Sequence, residues 1–463
     1  MSKGLKYTLY GILALDVLGL ILAYIFAETA CCDEFEHLRM SYLVSQGYMP
    51  YRDFFEHHHP LLWYVFAPFM MMLPQNFISV YYTSRFLSFI FSCGTLYVIY
   101  RIFKDFFENK KLFVYFFLTV MVFYPIWYGF SFFKPDIYER FFYVAGLYYF
   151  LRYFRDIKTK DLTICGLLFA ISFLFLQTAV FDILPFLIIS AVMIYKNPNN
   201  YKNFITASIS ALMLLLLVAA FLFYTDTVEQ YFQLNWIFNS KVFSLQSKFV
   251  DKGSIIYAFF LHFAGVFAAL FWLYKNKKLN KYTNIIALLF IFSIIQHLCF
   301  KAYYAHYLIL PFIFCSMIVA VFLENIAEKK EYRSLFCYIV AFFFCSFILN
   351  CITLYIKNNT LMLREMKKMN STKETGIVVS GNVYKIYAPL ISYYVMHTDI
   401  STVDNELFNR FPDYNINEII TKYEPLYLDY DNDGNGFKLP AETLQNYEKI
   451  SRYLWQRKDT LYQ

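Results

Sequence analysis

Between positions 7 and 356 the sequence alternates long apolar runs with short charged clusters. Each run reaches the roughly 18 residues that a helix needs to cross a hydrocarbon layer, so the pattern predicts a bundle of membrane-spanning helices. With Lys3 and Lys6 assigned to the cytoplasm, five basic clusters fall on that same side: Lys104/Lys110/Lys111, Arg152/Arg155/Lys158/Lys160, Lys196/Lys202, Lys275/Lys277/Lys278/Lys281 and Lys329/Lys330/Arg333. That is the side basic loops prefer. The opposite side receives 31–76, 134–140, 177–182, 225–253 and a short turn at Lys301. The expectation is about eleven spans, with the N-terminus cytoplasmic and the C-terminus outside. Positions 1–30 have the basic start of a signal peptide, but the apolar stretch is long and Glu28 stands where a small residue is wanted. An uncleaved first helix is expected instead.

After position 357 the pattern becomes that of a water-soluble fold. A strand is predicted at 376–380, helices at 383–396 and 416–423, and a second strand at 425–430. The chain thus divides into a transmembrane module, 1–356, and a small extracytoplasmic α/β domain, 357–463, joined by a polar segment lying along the membrane surface. No internal repeat is visible, which argues against inverted-repeat transporters.

Composition agrees with the membrane class. Of the 463 residues, 59% are apolar, 22% are aromatic and only 16% are charged, against ~25% charged in soluble domains. The formal charge of +7 sits in short interhelical loops, so it reads as topology and not as a nucleic-acid surface. Seven of the nine cysteines fall within apolar runs, so no disulfide framework is implied.

Acids and histidines collect in the first outer loop, 31–76. It reads Cys32-Asp-Glu-Phe-Glu-His-Leu-Arg39, then Gln46-Gly-Tyr-Met-Pro-Tyr-Arg-Asp-Phe-Phe-Glu-His-His-His-Pro-Leu-Leu-Trp63. Such groups beside a membrane face are costly unless water or a ligand meets them. For Asp33 and Glu34 alone, the plain alternative is a solvated helix boundary. Glu56 with one of the histidines, and a distant His306 or His297, is a candidate divalent-cation site for Mg, Mn or Zn. Three consecutive histidines do not share one centre in a regular helix or strand, because neighbouring side chains diverge. Asp431-Asn-Asp-Gly-Asn-Gly436 with Glu442 fits a calcium-loop pattern, but a predicted strand precedes it and Pro440 interrupts the exit helix, so it reads as a β-turn.

The combination of an Asp-Glu pair after the first helix, a Gly-Tyr-x-Pro-Tyr turn and Glu56-His-His-His-Pro-Leu61 resembles the first loop of the GT-C glycosyltransferases. Within them it is most similar to the branch of aminoarabinose transferase and the protein O-mannosyltransferases. Lys134-Pro-Asp136 stands where these enzymes often carry a second acid, and 301–311, with Tyr307 and Pro311, is similar to their late Tyr-Leu-x-x-Pro segment. Two positions depart from the pattern: Glu36 replaces an Arg of the aminoarabinose branch, and His57 replaces the Lys after Glu. The resemblance implies a polytopic α-helical membrane protein of GT-C type that takes a sugar from a polyprenyl-phosphate donor. The acceptor is a lipid, glycan or protein outside the cytoplasmic (inner) membrane.

Such a transfer requires a carboxylate to take the acceptor proton and cationic or hydrogen-bonding groups for the departing phosphate. Asp33 is the expected base, with Glu34 and Asp136 as orienting or alternate carboxylates. His57, His58 and His59 are expected at the donor phosphate, with Arg52, Arg140 and Lys301 as alternatives, each of which also reads as a snorkelling interface charge. Gln177-Thr178, at a short outer turn, reads first as a helix-end polar pair, with a border of the donor pocket as the alternative. The rival readings are a lipid or polysaccharide transporter, which would place charges inside the spans, and a glycan polymerase or ligase, which would place its key residues in a large late outer loop.

Overall fold

The computed structural model describes residues 3–26, 32–74, 77–240, 252–300, 305–327, 329–357, 427–429, 441–449 and 454–458. It is built almost wholly of helices. In chain order they begin with α1 (Lys3–Phe26), α2 (Cys32–Ser45), α3 (Leu61–Met72), α4 (Phe77–Phe106), α5 (Lys111–Val120) and α6 (Tyr124–Gly129). There follow α7 (Pro135–Asp156), α8 (Thr159–Phe175), α9 (Ala179–Lys196), α10 (Tyr201–Tyr224) and α11 (Val228–Phe232). The later ones are α12 (Lys252–Lys275), α13 (Lys281–Phe300), α14 (Ile309–Ala327) and α15 (Arg333–Lys357).

Among the described residues, five helical stretches are long and apolar enough to cross a membrane: Ile78–Phe106, Ala179–Lys196, Pro198–Tyr224, Ile309–Ala327 and Arg333–Thr353. Shorter apolar stretches accompany them at Tyr7–Leu22, Leu61–Met72, Lys111–Val120, Phe263–Lys275 and Lys281–Gln296. Their packing differs sharply. The α14 span is 78% buried and forms the axis of the bundle, whereas the α10 span is 11% buried and turns Leu212, Met213, Leu216 and Leu217 outward. An apolar face of that kind belongs against lipid.

Local sequence sets the helix ends that matter for the site. Pro135 opens α7 from an extended Lys134, because its fixed φ suits the first helical position and its missing N–H costs nothing there. Asp136 in the first turn and Arg155 in the last turn complement the helix dipole. Asp33 and Glu34 occupy the first turn of α2 in the same way. At its far end Gly47 adopts φ +88°, a conformation that favours glycine, and Tyr48 N–H closes the turn on Leu43 O at 3.1 Å.

The apolar interior has two parts. One fills the bundle around Phe103, Phe116, Leu147, Phe290 and Leu323. The other lies under the first loop and joins Phe35, Leu38, Phe54, Phe55, Trp63, Phe66, Phe133 and Tyr138. The segment expected to be a polar outer loop is therefore a packed structure of its own, made of α2, an irregular stretch and α3. In the C-terminal part the described residues form a small antiparallel sheet of order β1-β3-β2: β1 (Tyr427–Asp429), β2 (Tyr447–Lys449) and β3 (Leu454–Arg457). β1 falls within the strand expected at 425–430, and a short helix, Ala441–Gln445, follows Pro440. The elements expected at 376–380, 383–396 and 416–423 and the calcium-like loop from Asp431 to Gly436 lie outside the described residues.

Candidate functional site

The two acids that begin α2 have opposite surroundings. Asp33 is half-exposed, with its side chain 41% accessible, and its Oδ2 meets Lys134 Nζ at 2.6 Å. Burial works to raise its pKa, but the charge and hydrogen bond of Lys134 outweigh it, so the carboxyl titrates below its ordinary value of about 4. Glu34 is fully buried. Arg85 of α4 grips both its oxygens, Nε to Oε1 at 2.8 Å and Nη2 to Oε2 at 2.7 Å, and Phe133 N–H adds a third bond at 3.2 Å. The guanidinium is itself held between the Tyr81 and Phe132 rings, 4.2 and 4.8 Å from their centroids. Glu34 thus ties α2 to α4 and to the strand-like stretch before α7, and its carboxylate faces protein on all sides. The orienting role expected of it passes to a structural one.

Beyond Asp33, the same helix brings Glu36 and His37 to the irregular stretch 55–60. Glu36, Glu56, His57 and His58 each offer one ligand atom, all within 4.8 Å of one another. Glu56 Oε1 accepts the backbone N–H groups of His57 (2.7 Å) and His58 (3.1 Å) and meets His58 Nδ1 at 2.7 Å. Burial opposes the His58 imidazolium, yet Glu56 by charge and hydrogen bond outweighs it and lifts the pKa to about 9. His37 behaves oppositely: burial, helped by His58, pushes it down to about 3. Trp63 Nε1–H donates to His37 Nδ1 at 3.2 Å, which places the proton of the neutral ring on Nε2.

The carboxylates and imidazoles that come together here are not the set expected from sequence, Glu56 with one histidine and His306 or His297. Because 55–60 is neither helix nor strand, two adjacent histidines do turn to one point, and Glu36 joins them from α2. The third diverges. His59 Nδ1–H donates to Phe173 O at 2.6 Å, and its Nε2 accepts from Tyr231 O–H at 2.8 Å. Both ring nitrogens are occupied, and burial lowers its pKa to about 4. His59 therefore fixes the loop to α8 and to the segment 225–240, and in this arrangement it offers nothing to a phosphate. His306 lies in a short 3-10 turn, and its side chain, like those of His297 and Lys301, lies outside the described residues.

Further residues hold the loop. The His57 carbonyl accepts Gln177 Nε2–H (3.1 Å) and Asn239 Nδ2–H (2.8 Å), and Tyr51 O–H donates to the His58 carbonyl at 2.6 Å. Tyr51 is fully buried at φ 69°, an unusual backbone for a bulky side chain. Tyr231, Asn235 and Asn239 share one face of a helix whose turn over Gln233–Phe238 is a π-helix, a wide turn that recurs at functional sites. Asn239 Nδ2 bonds Asn235 O and Asn235 Nδ2 bonds Tyr231 O. Sequence reading singled out none of Glu36 as a ligand, Arg85, Tyr231 or Asn239. Glu36 alone carried a signal, since it follows Asp33 by one helical turn.

The other expected groups are dispersed. Arg52 is half-exposed and paired with the adjacent Asp53. Asp136 is buried and meets Arg140 one turn along α7 at 3.9 Å, and neither belongs to the Glu36–Glu56–His57–His58 group. Gln177 reaches the first loop through its bond to the His57 carbonyl.

Comparison with known proteins bears on the fold. Residues 57–224 match the family model described as dolichyl-phosphate-mannose-protein mannosyltransferase. The fold is similar to the crystal structure of ArnT from Cupriavidus metallidurans bound to undecaprenyl phosphate, with a TM-score of 0.56 and 11% identity over 88% of this chain and 89% of that one. No curated protein sequence gives a significant match. The chain therefore has the polytopic helical architecture of the GT-C type and resembles the aminoarabinose transferase and protein mannosyltransferase branch.

Proposed function

We propose that this chain is a membrane glycosyltransferase that takes a sugar from a polyprenyl-phosphate donor and passes it to an acceptor on the extracytoplasmic face of the cytoplasmic membrane. The observation that carries the reading is Asp33: an ionised, half-exposed carboxylate paired with a lysine, beside a group of glutamates and histidines, on a fold shared with a protein that binds undecaprenyl phosphate. The donor's lipid keeps it in the bilayer with its phosphate at the interface, where the first loop packs on the bundle.

In the proposed step an acceptor oxygen attacks the anomeric carbon while its proton passes to Asp33. The new C–O bond forms as the bond from that carbon to the phosphate oxygen breaks, and the electron pair leaves on polyprenyl phosphate, inverting the carbon. Asp136, one helix start away, is the alternate carboxylate, and Arg140 is placed beside it. Glu36, Glu56, His57 and His58 would hold a divalent cation such as Zn or Mn, whose chemistry is to stabilise negative charge developing nearby. Two carboxylates with two imidazoles suit those ions, and a bound cation would replace the proton that His58 now carries.

The test is transfer from a purified lipid-linked sugar by the full chain in lipid nanodiscs. Release of free polyprenyl phosphate with turnover supports transfer, whereas lipid movement without release favours a transporter. An Asp33→Asn protein that transfers at the normal rate would remove Asp33 from the mechanism. Cobalt titration checks the metal site: an absorption band lost in His58→Ala is expected, and the same band in both proteins places the ion elsewhere.

A further inference from the structure

We infer that Lys134 is the cation that receives the phosphate of the lipid donor, and that it does so by leaving Asp33. This rests on the polyprenyl-phosphate reading above. Among the described residues around the first loop, the other cations are committed differently. Arg85 is fully buried and bonded twice to Glu34. Arg39 is fully buried against the Tyr42 ring. Arg52 points to solvent beside Asp53, and Arg140 sits a turn inside α7 against Asp136. Lys134 joins the most accessible of these carboxylates, Asp33 at 41%, against 25% for Asp53 and 12% for Asp136.

Its chemistry suits an exchange. The backbone at Lys134 is fixed: it is extended, as a residue before proline must be, and its N–H bonds Phe132 O at 2.9 Å. The side chain is a flexible stem ending in a point charge with three donors, which can turn from one anion to another without backbone movement. The pair is one lysine, itself 12% accessible, on a partly exposed carboxylate; the donor is a phosphodiester with the same single negative charge, and the departing polyprenyl phosphate is a monoester with a second charge and one more terminal oxygen for the lysine to meet. Glu36 and His37 also face this position and would sense the same movement. The exchange has a purpose. While Lys134 bonds Asp33, the carboxylate is a poor proton acceptor; once the lysine moves to phosphate, the base is released when a donor is present, and the cation lies against the oxygen that takes up charge as the sugar leaves.

Binding of farnesyl phosphate to the full chain in nanodiscs tests this without turnover, with farnesol as the control lacking phosphate. Lys134→Met is expected to weaken farnesyl phosphate by about tenfold or more and to leave farnesol unchanged, with Lys134→Arg restoring part of the loss. Asp33→Asn is expected to bind it about two- to fivefold tighter, because the lysine no longer has a competing carboxylate. Lys134→Gln serves if the methionine variant does not fold. Wild-type and Lys134→Met proteins that bind farnesyl phosphate equally overturn the assignment, and an Asp33→Asn protein that binds it no tighter overturns the exchange. A wild-type protein that binds neither this phosphate nor longer polyprenyl phosphates overturns the donor reading as well, so the two failures are told apart.

Discussion

Two ion pairs begin at adjacent residues of α2 and differ in almost everything else. Asp33–Lys134 sits at the rim, an accessible carboxylate on a largely buried ammonium. Glu34–Arg85 is sealed, two oxygens on a guanidinium clasped by two rings. The same pairing of charges gives a contact that a ligand can compete for in the first place and a fastener between helices in the second. Solvent decides which, because an exposed pair contributes little while a buried one becomes indispensable once made.

The largest expected effect separates the two by function. Asp33→Asn should reduce transfer by about a hundredfold or more, the usual scale for loss of a proton acceptor, with thermal unfolding in detergent unchanged. Glu34→Gln should do the reverse in kind, lowering the unfolding temperature by stranding Arg85. If Asp33→Asn instead unfolds the protein while Glu34→Gln is stable and inactive, the assignment of the two pairs is inverted.

Next in size, Arg85→Ala should destabilise by about 3 to 5 kcal/mol, since it leaves a buried carboxylate without its cation. Calorimetry of the purified protein measures this, and a loss no larger than that of a surface arginine would mean that Glu34 finds water.

The contrast extends to the histidines through pH. His59 has its pKa lowered to about 4 in the fold, against about 6.5 in an unfolded chain. The unfolded state therefore takes the proton first, and this contribution to stability is lost as pH falls from about 6.5 towards about 4. His37 acts in the same direction. His58, raised to about 9, has the opposite sign: its contribution is complete below about pH 6.5 and is lost as pH rises through about 9. Unfolding temperatures across pH should show His59→Asn flattening the acid limb and His58→Asn the alkaline limb. One limb responding to both would dissolve the distinction between sealed and rim histidines.

The smallest effect is Tyr231→Phe, which removes one hydrogen bond to His59 and should lower stability by about 1 kcal/mol. A change several times larger would show that the helix bearing Tyr231 holds more of the first loop than this single bond.

Much of this was legible in the sequence because it is local. Apolar run lengths predicted the helical membrane class, and the clustering of acids and histidines pointed to the first loop. What escaped was long-range. Nothing at position 85 announces that its arginine will meet a glutamate 51 residues earlier, nor does Tyr231 signal its bond to a histidine 172 residues away. The histidine run misled for a different reason. Rules for diverging neighbours hold in regular backbone, and Glu56 to Pro60 is irregular because Glu56 turns its own carboxylate back on the two following N–H groups.

The π turn over Gln233–Phe238 makes spacing there a matter of residue count and not only of residue type. A π turn contains one residue more than the α turn it replaces. Deleting one residue inside it would restore an ordinary helix and bring Tyr231 and Asn239 seven residues apart, about 700° of turn, so both would stay within about 20° of one face. Tyr231 would keep its hold on His59 and Asn239 its approach to the His57 carbonyl. A chain of this fold one residue shorter at that place is thus expected to keep both grips on the histidine loop, so a one-residue gap there marks the loss of the wide turn and not of the contacts when such sequences are laid side by side.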